Sequence, residues 1–191
     1  MKTNFVSIVA LLMTVVLIVS TVIFWQAKNI EFIYYNILFF IMLVFIVCTQ
    51  RRLHLGIPVL IGFSVLFIMH LSGGLVVIGN TRLYDMVFKF LPFDKIHHFV
   101  LGLVFSFLTV SLFVDVKKWR HKKRALFFFF VVLAALGFGA VVEIMEFVGV
   151  MFLGSPGVGD YANNAADLVA DLFGAAAGAV IMMLMNNDKN L

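Results

Sequence analysis

Seven side chains in this sequence are of the types that bind cations or move protons, and most recur at helical spacing. Asp94 and His98 stand four residues apart, Glu143 and Glu146 three, Asp167 and Asp171 four, while His70 precedes Gly73-Gly74. Residues three or four apart share one face of a helix. All seven lie in or beside apolar runs, where an ionisable residue marks a functional site by default. Histidine with several carboxylates suits Zn²⁺, Mn²⁺ or Fe²⁺, and carboxylates alone suit Mg²⁺ or Ca²⁺. His98, Glu143, Glu146, Asp167, Asp171 and His70 are the candidate ligands of such a divalent ion. A carboxylate–histidine pair also performs general acid/base chemistry, and Glu143 and Asp94 are the candidates for that role. Cys48 is the only cysteine, so a cysteine metal site and an intrachain disulfide are both excluded.

Blander readings stand beside these. His70 alone reads equally well as hydrogen-bonding glue between helices. His97 is turned about 100° from His98 on a helix and belongs at the interface rather than in the site. Asp160 reads as a helix cap. Lys95 and Asp115 are expected in water at helix ends, and Lys89 and Lys95 are expected to reach no further than the rim of the site. For Glu143, Asp167 and Asp171 the structural account is an ion-pair or proton-sharing network that holds helices together.

The elements that must position these groups are membrane spans. Of 191 residues, 63% are hydrophobic and only 13% charged, with a mean hydropathy of +1.11. A soluble domain carries about 25% charged residues, so the chain is read as an integral membrane protein. Six apolar runs cover about 5–25, 32–49, 57–79, 96–115, 126–152 and 165–185. Each is near the roughly 20 residues that cross a bilayer. Lys2 precedes the first run as in a signal peptide, but that run is long and no A-x-A site follows, so it reads as a retained helix. Residues 80–93 are mixed and are expected to form a short interfacial helix. The fold class expected is all-α: one domain, a bundle of six transmembrane helices, with no repeat.

Lys and Arg set the orientation. Alternate segments hold Lys2, Arg51, Arg52, six basic residues of 117–124 and Lys189, ten in all, against Lys28, Arg82, Lys89 and Lys95, four in all. Both termini are therefore expected in the cytoplasm. Because the basic residues cluster at the ends of apolar runs, the net charge of +4 points to topology and to anionic lipid and not to nucleic acid. In this topology four helices bring His70, Asp94 with His98, Glu143, and Asp167 with Asp171 to one outward level. Gly102, Gly139, Gly174 and Gly178 continue the same stripes and permit close helix approach.

The pattern His70-x-x-Gly73-Gly74, Tyr84-Asp85, Asp94-Lys95-x-x-His98-Phe99, Glu143-x-x-Glu146, Gly159-Asp160, Asp167-x-x-x-Asp171-x-x-Gly174 resembles the YjdF-like inner-membrane proteins. Its Asp-Lys-x-x-His-Phe element and final Asp/Gly stripe are also similar to VanZ-like proteins. There a Gln follows the first Glu and an Asn follows the Asp, where this chain has Glu146 and Asp171. The resemblance implies a small polytopic protein of the bacterial cytoplasmic membrane. The VanZ-like element adds a link to the cell envelope, and neither likeness implies a reaction.

Three function classes follow from the residues. The first is a metal-dependent enzyme acting on a lipid or lipid-linked envelope substrate. The second is a carrier for a cation or proton, against which stand the one-sided site and the apolar first two helices. The third is a non-catalytic membrane partner whose polar cluster is structural.

Overall fold

The fold, taken from a computed structural model, is described for residues 2–53, 55, 57–154 and 160–185. Long helices dominate: α1 (Lys2–Gln26), α2 (Ile30–Leu53), α3 (Ile57–Leu75), α4 (Phe93–Leu112), α6 (Arg124–Leu153) and α7 (Tyr161–Leu184), with a short basic α5 (Val114–Lys122) between α4 and α6. The six long helices all have the length and apolarity of membrane spans, as the runs of the sequence imply. Residues 155–159 between the last two spans, Gly159 of the Gly159-Asp160 element among them, and Lys189 fall outside the described residues.

Two differences from the sequence reading bear on the site. The third span ends at Leu75, and residues 76–92 form no interfacial helix. They fold as two small antiparallel hairpins, β1 (Val77–Ile78) with β2 (Thr81–Arg82) and β3 (Val87–Phe88) with β4 (Leu91–Pro92). A 3₁₀ turn, Leu83–Asp85, joins them. The local reason is visible in the sequence: β-branched Val76-Val77-Ile78 disfavours helix, and Gly79, at φ +64°, supplies the left-handed turn position a two-residue hairpin needs. The second difference is that α4 begins at Phe93 and α7 at Tyr161, each three or four residues earlier than expected. Asp160 caps α7, its carboxylate accepting from the Asn163 backbone N–H at 3.0 Å. The early starts bring Asp94, Lys95 and Asn163 into ordered first turns.

The contacts divide the chain into two units. In the first, α1 and α2 form a helical hairpin whose turn places Lys28 at φ 54°. Asn36 Nδ2 of α2 donates to Ser20 Oγ at 3.0 Å and Thr21 Oγ1 at 2.9 Å of α1, polar glue of the kind spans use in place of a hydrophobic drive. The rings of Phe24 and Phe32 pack at 5.0 Å. The end of α6 belongs to this unit, with Gly149 against the ring of Tyr34.

The second unit holds α3, the hairpins, α4, α5, most of α6 and α7. Its centre is the α4–α7 seam. A Cβ built on Gly102 would meet the Asp171 carbonyl, one on Gly174 the Phe99 carbonyl, and one on Gly178 the Ser106 hydroxyl. These three positions let the two backbones touch, the small-residue device of membrane helix pairs. Gly62 of α3 lies against Val104 of α4 in the same way. Only close packing of α4 on α7 lets their short Asp side chains and His98 meet.

Candidate functional site

His98 is the hub. It sits one turn inside α4, and its ring is 1% exposed. Its two nitrogens face opposite pairs of carboxylates. Nε2 lies 3.7 Å from Asp94 Oδ1 of its own helix and 3.7 Å from Asp167 Oδ1 of α7. Nδ1 lies 3.6 Å from Glu143 Oε1 of α6 and 3.5 Å from Asp171 Oδ1 of α7. All four distances exceed those of a direct hydrogen bond. Two sets of potential ligands therefore share one imidazole: Asp94, His98 and Asp167, and His98, Glu143 and Asp171. Within each set the ligand atoms lie within 4.8 Å of one another.

The two sides differ in how their charge is met. On the Nε2 side a cation is already present. Lys95 Nζ contacts Asp94 Oδ2 at 2.7 Å, Asp167 Oδ1 at 2.6 Å and Asn163 Oδ1 at 2.8 Å. Asn163 Nδ2 then donates to Asp167 Oδ2 at 2.9 Å, and the Tyr84 hydroxyl bonds Asp94. On the Nδ1 side, Glu143 Oε1 and both carboxylate oxygens of Asp171 are buried and have no hydrogen-bond partner among the described residues. Gly139, one turn before Glu143, gives Asp171 room, since a Cβ there would strike its Oδ2.

Two of the three ligand separations on the Nδ1 side have metal-site spacing, and the third is within 4.8 Å. Two ligands each about 2.0–2.2 Å from Zn²⁺ and related tetrahedrally stand about 3.3–3.6 Å apart. The Nδ1 separations to Glu143 and Asp171, 3.6 and 3.5 Å, match that spacing. Buried carboxylates without a counter-charge are costly, and buried polar atoms are rarely left without partners. With all four carboxylates ionised and His98 neutral, four negative charges face the one ammonium of Lys95. A divalent ion at Glu143 and Asp171 would offset most of the excess. The opposite nitrogen of His98 would then carry its proton toward Asp94 and Asp167, the carboxylate–histidine–metal arrangement that orients a ligating imidazole.

Of the residues singled out from sequence, Asp94, His98, Glu143, Asp167 and Asp171 meet here. His70 stands one ring further out. Buried on α3, it packs at 6.1 Å on His97, whose ring lies 5.9 Å from His98. Glu146 is half-buried in the first unit, where it faces Tyr34.

Two expectations are corrected. Lys95 is not a rim residue in water: its side chain is 13% exposed and bridges two carboxylates. His97 is not interfacial: it is buried between His70, His98 and the ring of Tyr84. Asn163 is not among the candidates read from the sequence, and Tyr84 enters there only through the Tyr84-Asp85 element of the family pattern. Asn163 stands four residues before Asp167 and carried the helical-spacing signal. Tyr84 reaches the site only through the hairpin fold, which its sequence neighbours do not announce.

A model of the DUF2238 family, described as a predicted membrane protein, matches residues 6–188, and the chain belongs to that family. The YjdF-like resemblance agrees with it. No curated protein and no solved structure matches the chain.

Proposed function

We propose that this member of a family of predicted membrane proteins binds a divalent cation through His98, Glu143 and Asp171. The observation that carries the reading is the set of buried, unpartnered oxygens on Glu143 and Asp171 beside the Nδ1 edge of one histidine. Three protein ligands leave a fourth position for water or substrate, the pattern of catalytic rather than structural zinc. A metal so held would polarise an ester or phosphoryl oxygen and activate water. The substrate class that fits is a lipid or lipid-linked envelope molecule, approached from the bilayer. Asp94 and Asn163 are the partly exposed groups beside which polar parts of a substrate would enter. The likeness of Asp94-Lys95-x-x-His98-Phe99 to VanZ-like proteins supports an envelope role, and with the YjdF-like resemblance supports the bacterial cytoplasmic membrane. Glu143 and Asp94 are the acid/base candidates in this scheme.

A second reading rests on Lys95. It already neutralises part of the cluster, and shared protons could neutralise the rest, leaving a structural network. A cation or proton carrier would use the same groups, but α1 and α2 hold a single acidic residue, Glu31 in the first turn of α2, and no histidine.

The test is metal analysis of protein purified without chelator, by mass spectrometry, for wild type, Glu143→Gln and Asp171→Asn. The metal reading expects about one bound ion in wild type and its loss in both variants. An ion-free wild type whose melting temperature ignores added divalent ions, with amide variants as stable as wild type, establishes the proton-sharing network instead.

A further inference from the structure

The two hairpins carry apolar side chains where a soluble loop would not. Val76, Val77, Ile78, Val87, Phe88, Phe90 and Leu91 are all exposed. Successive residues of a strand point to opposite faces, so Val87 at 59% and Phe88 at 44% exposure leave both faces of β3 uncovered. An isolated two-stranded hairpin is marginal at best in water. Here neither face is packed, yet backbone bonds close both hairpins at their bases, Leu83 N–H to the Val76 carbonyl at 2.8 Å and Phe93 N–H to the Met86 carbonyl at 2.9 Å.

The tip of the second hairpin is the sharper feature. Lys89 occupies the left-handed region at φ 59°, where a residue with a Cβ is strained. Phe90 beside it is 87% exposed, among the most exposed large apolar side chains of the protein. Arg82 is held bidentate by Asp85, at 2.7 and 3.1 Å. Lys89 has no hydrogen bond or ion pair among the described residues, and so is a cation available to an external anion.

Position supplies the occupant. The hairpins begin directly after α3 ends and finish where α4 begins, so the ends of two spans hold them at a bilayer surface. We propose that the β3–β4 hairpin is a lipid-docking element, with Phe90, Val87, Phe88 and Leu91 immersed at the boundary of headgroups and acyl chains and Lys89 on lipid phosphate. Aromatic side chains favour this depth, and lysines there reach toward headgroups. Phe90 anchors the tip, and through the hairpin base it fixes Tyr84 and Phe93 over the end of α4. This holds whether or not a metal binds at His98.

The experiment uses the full chain in bilayers of mixed phosphatidylcholine and phosphatidylglycerol. On a Cys48→Ser background, Phe90→Cys and, separately, Asp85→Cys carry a nitroxide spin label. Accessibility to molecular oxygen, which concentrates in lipid, is compared with accessibility to a water-soluble nickel chelate. The proposal expects the oxygen-to-chelate ratio to be several-fold higher at position 90 than at 85. Adding Lys89→Glu should lower the ratio at 90 in the anionic bilayer and less so in pure phosphatidylcholine. Equal ratios at 90 and 85 would overturn it. So would dipolar broadening at 90 that disappears on dilution with unlabelled protein, because the hairpin would then dock on a second copy of the chain. Both label sites are exposed; Phe90→Cys removes no hydrogen bond and Asp85→Cys gives up only the exposed Arg82 pair, so neither change reaches the buried part of the protein.

Discussion

At the scale of single residues, the account turns on the difference between the two edges of His98. Asp94 and Asp167 share the Lys95 ammonium, while Glu143 Oε1 and both Asp171 carboxylate oxygens have no hydrogen-bond partner among the described residues. Substitutions on the two edges should therefore differ. Asp167→Asn leaves the proposed ligands intact and acts through the imidazole, so cation affinity should fall about 10–100-fold, as for other partners of ligating histidines. Titration of metal-stripped protein checks this, and Asp171→Asn should abolish binding in the same assay. Lys95→Met removes the ammonium and leaves two carboxylates facing each other. Breaking a buried ion pair costs about 3–5 kcal/mol, toward the low end here because Lys95 is partly exposed. Added divalent ions should recover more of that loss than they add to wild type, since Asp94, His98 and Asp167 become a second ligand set. Thermal unfolding with and without ion reads both effects.

At the scale of elements, the α4–α7 seam positions the site, and its glycines can be ranked. A Cβ at Gly174 meets the backbone carbonyl of Phe99, which cannot rotate away, whereas one at Gly178 meets first the Ser106 hydroxyl, which can. Gly174→Ala should cost about 1–3 kcal/mol of stability by overpacking and should also displace Asp171 and loosen cation binding. Gly178→Ala should cost less. Gly137→Ala, in open space on α6, should be neutral or stabilising by up to about 1 kcal/mol. Chemical unfolding in detergent orders the three. The seam is legible in the sequence, because Gly102, Gly174 and Gly178 fall on the Asp94–His98 and Asp167–Asp171 stripes. The spans were legible for a similar reason, since runs of about 20 apolar residues have few alternatives. The hairpins were not, because two-residue strands leave no periodicity to read. The place of Lys95 is equally hard to read: a start of α4 three residues later leaves its ammonium in solvent, whereas the start at Phe93 turns it onto Asp167.

At the scale of the whole molecule, six spans and a one-sided polar cluster make two claims. The first is topology. Ten basic residues against four across alternate segments should place both termini in the cytoplasm. A reporter fused after Leu191 should then be active only as a cytoplasmic fusion, while one inserted after Asn80 should be active only outside. Periplasmic activity after Leu191 would invert the membrane orientation of the site. The second and central claim is that the buried cluster holds a cation by one imidazole and two carboxylates. X-ray absorption at the metal edge of protein reconstituted with Zn²⁺ tests it most directly. The account predicts a first shell of one histidine nitrogen and oxygens at about 2.0–2.2 Å, with Asp171→Asn losing the bound ion. A protein that retains no Zn²⁺, or retains it in a shell without imidazole scattering, would contradict it.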